Sequence, residues 1–132
     1  MERLKERLLV ADKPLGSLNK LVQIEFPDDI VRDATIQRFE YSFEAVWKAV
    51  KKYLDLIEGI QANSPKAVIR ASMETGLLDE RSSRHALLMA DDRNLTSHTY
   101  NEELAKEIAG RIPQHAAVMT AWLHSCQKQI KT

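Results

Sequence analysis

Apolar residues recur along this chain in steps of three and four, and no stretch alternates, so the pattern predicts helices and no strands. Leu4, Leu8, Ala11, Leu15, Leu18 and Val22 form one amphipathic stripe. Pro14 and Gly16 interrupt it, which predicts a kink or a frayed start near Asp12. Pro27 reads as the opening of a longer helix over 28–58, with Asp28 and Asp29 against its N-terminal dipole. Its stripe of Ile36, Phe39, Phe43, Val46, Val50, Tyr53 and Ile57 is close to a heptad and stops at Gly59. Such a helix is roughly 46 Å long at about 1.5 Å per residue.

Ser64-Pro65 is an N-cap followed by proline at the first helical position, and Gly76 closes this short helix. A fourth helix is predicted from near Asp79, carrying Ala86, Leu87 and Met89. Thr99 and Glu102 have the spacing of a capping box, which starts the last helix just after His98. That helix carries Leu104, Ile108, Ile112, Met119, Trp122 and Cys126, with a bend expected near Gly110 and Pro113. The fold class that follows is all-α: an up-and-down bundle of four main helices plus one short inserted helix, in a single domain over 1–132.

Charge and cysteine content narrow the function. A formal net charge of +0 argues against a general polyanion binder, so any nucleic-acid contact must come from a local patch. One cysteine, Cys126, excludes an internal disulfide and reads as a small core residue; no His/Cys spacing suggests a metal, and no cofactor is expected. The first residues are too charged for a signal peptide and no apolar run approaches a membrane span, which predicts a cytoplasmic protein.

The densest chemistry lies in Arg93-Asn94-Leu95-Thr96-Ser97-His98-Thr99-Tyr100, where the apolar pattern is interrupted. Arginine offers a planar fork of donors to a phosphate, and histidine is the side chain whose ordinary pKa lies nearest neutral. Together they suit phosphodiester chemistry without a metal. Five positions along an ideal helix is about 140° of rotation. Arg93 and His98 therefore converge only if the helix ends between them; otherwise the working pair comes from two chains. Arg93, Ser97 and Tyr100 fall on one face if helical phase holds.

Three segments in order resemble one family: Gln37 to Lys48, Ser64-Pro65 through Gly76-Leu77-Leu78, and Arg93 to Tyr100. The chain resembles the HEPN superfamily, in the branch of nucleotidyltransferase substrate-binding proteins, closely from Ile36 to Ile112 and by helix pattern outside it. The resemblance implies a homodimeric bundle encoded beside a minimal nucleotidyltransferase, often as a toxin–antitoxin pair. It implies a metal-independent ribonuclease centre at the dimer cleft, with Arg93 and His98 as catalytic residues and Asn94 and Ser97 in support. It also implies that Tyr100 accepts AMP from the partner as a regulatory mark. One departure is His85, where a tryptophan is expected.

Two functions follow. One is an endoribonuclease, in which paired histidines move protons and paired arginines stabilise a phosphorane. The alternative is a non-catalytic subunit that binds RNA or a nucleotide for the partner enzyme. Tyr53, Trp47 and the apolar stripe look like more than one thin bundle needs, a second argument for a dimer. Trp47 and Trp122 read as core or dimer surface, Tyr41 as packing, and His115 and His124 as surface or packing residues. Arg81, Arg84 and His85 form a local basic cluster. Asp91 and Asp92 oppose phosphate binding beside Arg93 unless they point away or hold its guanidinium.

Overall fold

The computed structural model describes residues 1–130, and among them there are five α-helices and no strand. α1 spans Glu2–Leu21, α2 Asp29–Glu58, α3 Pro65–Glu74, α4 Glu80–Leu95 and α5 Glu102–Ile130; a 3₁₀ turn, Thr96–His98, joins the last two. α1, α2 and α5 pack against one another, while α3 and α4 close the remaining side of the core. This is the helical bundle, with one short helix inserted, that the periodicity predicts.

Local chemistry sets most helix ends. The Asp28 carboxylate accepts from the Val31 N–H at 2.8 Å, the Ser64 hydroxyl from Ala67 N–H at 3.2 Å and the Asp79 carboxylate from Ser82 N–H at 2.7 Å. Each satisfies a backbone donor that has no partner within its helix. Asp28, and not Pro27, is therefore the entry to α2. At the other end Gly59 takes a left-handed φ of 69°, open to glycine at little cost, so that Ile60 N–H reaches back to the Leu54 carbonyl at 2.9 Å.

Neither helix is broken at its proline: α1 begins at Glu2 without fraying up to Asp12 and runs through Pro14, and α5 runs through Gly110 and Pro113. Pro14 removes the donor for the Val10 carbonyl, and Val10 is exposed, so water can take that role. The capping box expected from Thr99 and Glu102 is replaced by Asn101, whose carboxamide oxygen accepts from Leu104 N–H at 3.2 Å. The Thr99 hydroxyl instead donates to the Thr96 carbonyl at 2.9 Å.

The predicted stripes are the core. Leu4, Leu8, Ala11, Leu15 and Leu18 of α1 are buried, as are Phe39, Phe43, Val46 and Val50 of α2. Ile57, the last residue of the α2 stripe, is exposed. Trp122 is fully buried and donates its indole N–H to the Ser72 hydroxyl at 2.9 Å, joining α5 to α3. Tyr53 is also buried within the chain, its phenol pushed up to about 12 by burial and by neighbouring Glu58. It is thus spent on the protomer's own core and lends no apolar surface to a dimer. Among the described residues no helix is long and apolar enough to cross a membrane.

Candidate functional site

α4 ends at Leu95, between Arg93 and His98, and the chain tightens into the Thr96–His98 turn. Hydroxyls hold that turn together. Thr96 Oγ1 donates to the Arg93 carbonyl at 2.6 Å, and Ser97 Oγ to the Asn94 carbonyl at 3.2 Å, satisfying acceptors at the helix end. Because the helix stops, Arg93, Ser97 and Tyr100 do not continue one helical face. The bend places His98 and Tyr100 on an exposed loop with their rings edge to face, 6.1 Å apart, and Tyr100 is 84% exposed. Tyr100 does not pack at the start of α5.

Arg93 turns toward α2. Its Nη1 lies 3.4 Å from Glu40 Oε2 and its Nε 3.4 Å from Glu44 Oε1, the latter without hydrogen-bond geometry. Nη1 also donates to Thr96 Oγ1 at 3.0 Å. The guanidinium is therefore held in place by two carboxylates and a hydroxyl. Glu40 and Glu44 lie one helical turn apart on α2, a spacing that presents both to the same neighbour. Arg93 and Asn94 open onto a cleft of about 300 Å³ shared with Glu44, Ser64 and Lys66. His98 does not line that cleft, and neither do Ser97 and Tyr100.

Neither Asp91 nor Asp92 pairs with Arg93. Asp91 pairs with Lys66 of α3 at 2.6 Å. Asp92 is buried and receives two parallel bonds from Arg111, Nε to Oδ2 and Nη2 to Oδ1, each 2.8 Å. Fork-to-fork pairing of this kind is among the stronger charge-assisted contacts. His115, fully buried, meets Asp92 Oδ2 through Nε2 at 2.7 Å and His85 Nε2 through Nδ1 at 3.2 Å. Burial raises the Asp92 pKa, but the bonds and charges of Arg111 and His115 outweigh it and hold the carboxyl below its ordinary range. Burial is also the largest influence on His115 and lowers its pKa despite the carboxylate. His115 is thus neutral with its proton on Nε2, and its bare Nδ1 accepts from His85.

His115 is therefore a buried, bonded side chain and not a surface residue. The sequence held a signal for it: His115 continues the α5 stripe three residues after Ile112 and four before Met119, where an inward polar group must find partners. His85, at the position of the expected tryptophan, is that partner, and it ties α4 to α5. Among the described residues, no three His, Cys, Asp or Glu side chains are grouped so as to hold a metal ion.

An all-helical bundle with an Arg-x4-His segment on the α4–α5 turn defines a class, and similarity to known proteins places the chain in it. Residues 6–128 match the family described as nucleotidyltransferase substrate binding protein like, and the chain belongs to that family, the HEPN-like branch that its three motif segments resemble. Over 95 residues it is 33% identical to a Haemophilus influenzae protein named probable ribonuclease HepT, across 69% of this chain and 64% of that relative's length. A crystal structure from Thermus thermophilus superposes with a TM-score of 0.85 at 50% identity, covering 88% of this chain and 98% of that one. A second structure, from Haemophilus influenzae, has a TM-score of 0.79 at 28% identity over 91% of this chain and 98% of that one. It is described as revealing the fold of a substrate binding domain of a nucleotidyltransferase.

Proposed function

We propose that this protein is a metal-independent endoribonuclease that works as a homodimer, with Arg93 and His98 of both copies forming the site. The observation that carries the reading is the division of labour within one chain: Arg93 and Asn94 line the cleft while His98 stands outside it on an exposed turn. A second copy facing the first supplies the missing histidine. In that arrangement one His98 takes the proton of a ribose 2′-hydroxyl as its oxygen bonds to the neighbouring phosphorus. The other protonates the departing 5′-oxygen as its bond to phosphorus breaks. The paired Arg93 side chains neutralise the charge that develops on the phosphorane. The relative named as a probable ribonuclease supports the same reading.

Control by a nucleotidyltransferase partner is part of the proposal. Tyr100 is the acceptor: its phenol gives up its proton to a base of the partner enzyme or to water as its oxygen bonds to the α-phosphorus of ATP and pyrophosphate leaves. The added AMP is a bulky anion beside His98. A second reading, a non-catalytic subunit that binds RNA or a nucleotide for that enzyme, draws on Glu40 and Glu44, which engage Arg93 and leave less of its charge to stabilise a phosphorane.

Incubating purified protein with single-stranded RNA and a chelator tests the choice. Cleavage that His98→Ala abolishes supports the ribonuclease. Binding without cleavage supports the second reading, and cutting by His98→Ala equal to wild type overturns the first.

A further inference from the structure

A groove of about 510 Å³ lies between α1, α2 and the α2–α3 loop, away from the Arg93 cleft. Ligand sites in proteins are commonly about 300–1,000 Å³. Arg7, Trp47, Lys48, Lys51 and Lys52 line it, with Asp55 as its one acidic residue. A second depression shares Arg7 and Lys48 with it and adds Arg3 and Glu6. Five cations thus face two carboxylates in a chain whose formal net charge is +0. Lys48 pairs with Glu44 at 3.7 Å, whereas Arg3, Arg7, Lys51 and Lys52 have no carboxylate within 4.0 Å among the described residues.

Glu44 connects this groove to the candidate site. Its Oε2 accepts from the Trp47 indole N–H at 3.2 Å, and its Oε1 faces Arg93 Nε at 3.4 Å. Asn63, in the groove, is also the sequence neighbour of Ser64 in the Arg93 cleft. The two concavities are therefore adjacent, with one carboxylate between them.

We propose that this groove binds the sugar-phosphate backbone of single-stranded RNA, with a base against Trp47, and leads the strand to Arg93. Unpaired cations beside an aromatic ring are how sequence-tolerant sites track single strands. An acidic partner protein would also meet the lysines. The concave shape, the indole and the path to Arg93 favour RNA. The inference deepens the ribonuclease reading and rests on it for the choice of ligand.

The test measures binding of a fluorescent single-stranded 2′-O-methyl oligonucleotide, which has no attacking hydroxyl, to full-length protein carrying His98→Ala. Lys51→Gln/Lys52→Gln is added on α2 and, separately, Arg7→Gln on α1, with circular dichroism to confirm helix content. The double variant is expected to bind on the order of tenfold more weakly, with the slope of log affinity against log salt reduced by about 1.4, or about 0.7 per lost contact. Arg7→Gln is expected to reduce that slope by about 0.7. RNA should also quench Trp47 fluorescence, while the buried Trp122 stays constant. Unchanged affinity and slope in folded variants overturn the groove, as does lysine-dependent binding of polyglutamate with no effect on RNA. Groove-dependent binding by a protein that never cleaves RNA overturns only the ribonuclease. His98-dependent cleavage with binding indifferent to all three cations overturns only the groove.

Discussion

Asp92 and Arg93 are consecutive residues of α4, yet they grip different helices: Asp92 holds Arg111 and His115 of α5, and Arg93 sits between Glu40 and Glu44 of α2. Successive side chains on a helix diverge by about 100°, which is what lets neighbours serve opposite sides. The end of α4 is thereby tied on two flanks, and the turn bearing His98 starts from a fixed point.

Asp92→Asn should lower stability by about 1–3 kcal/mol, because an amide nitrogen replaces an acceptor facing Arg111 and the buried charge pair is lost. The half-exposed Arg111 can be rehydrated, which keeps the cost below that of an enclosed pair. Thermal melting should show a fall of roughly 4–12 °C. A midpoint equal to wild type would mean that the bidentate pair adds nothing to the fold.

Acid should destabilise the protein in two steps of the same sign. Burial lowers the folded pKa of His115 below its ordinary value of 6.5, so the unfolded chain binds a proton that the folded chain resists. That stability is full above 6.5 and declines as pH falls below it toward the folded value. Asp92, depressed below 3.8, contributes stability that is present above that value and lost as pH falls through its folded pKa. Melting temperatures measured against pH should show both declines, and His115→Gln should flatten the upper one. A midpoint that rises on acidification to about pH 6 would contradict a neutral His115.

Arg93→Ala and His98→Ala should each reduce RNA cleavage by about 10²–10³ or more without changing helix content. Cleavage by the wild-type protein should persist in chelator. Loss of cutting in chelator, restored by a divalent ion, would refute metal-independent chemistry.

Glu44→Gln removes one countercharge from Arg93 while leaving an amide oxygen to accept from Trp47. RNA affinity at low salt should rise about two- to fivefold, the equivalent of up to about 1 kcal/mol for a partly exposed pair. A weaker complex would show that the carboxylate is needed to aim the guanidinium.

Tyr100 should be the residue that gains mass when the protein is incubated with ATP and a cognate nucleotidyltransferase. Peptide mass spectrometry reads the site of AMP addition directly. An adduct confined to other residues would leave Tyr100 without a regulatory role.

What the sequence made legible was local. Ser64 caps an N–H three residues away, so a short window contains both partners, while Asp28 and Asp79 cap in the same way helices whose starts the sequence placed only nearby. The same window failed at Thr99, because Asn101 also has a capping side chain and the Thr99 hydroxyl found the Thr96 carbonyl instead. Periodicity placed Phe39 and Trp122 in the core, but it fixes the phase of one helix and not the phase between two. Hence the contacts of Asp92 with His115, and of Arg93 with Glu40 and Glu44, could not be read in advance. Ile57 departs from its stripe because the final turn of α2 leaves it with a solvent-facing side.

Cys126 is fully buried, and burial pushes its thiol up to about 12, so little reactive thiolate forms at neutral pH. It is also the only cysteine in the sequence. The native chain therefore has a chemically silent surface toward maleimides and other thiol reagents. A single Ser97→Cys variant can carry a spectroscopic label beside His98 without removing the native thiol, and a measured distance between two such labels, or its absence, would test whether two copies pair face to face as proposed.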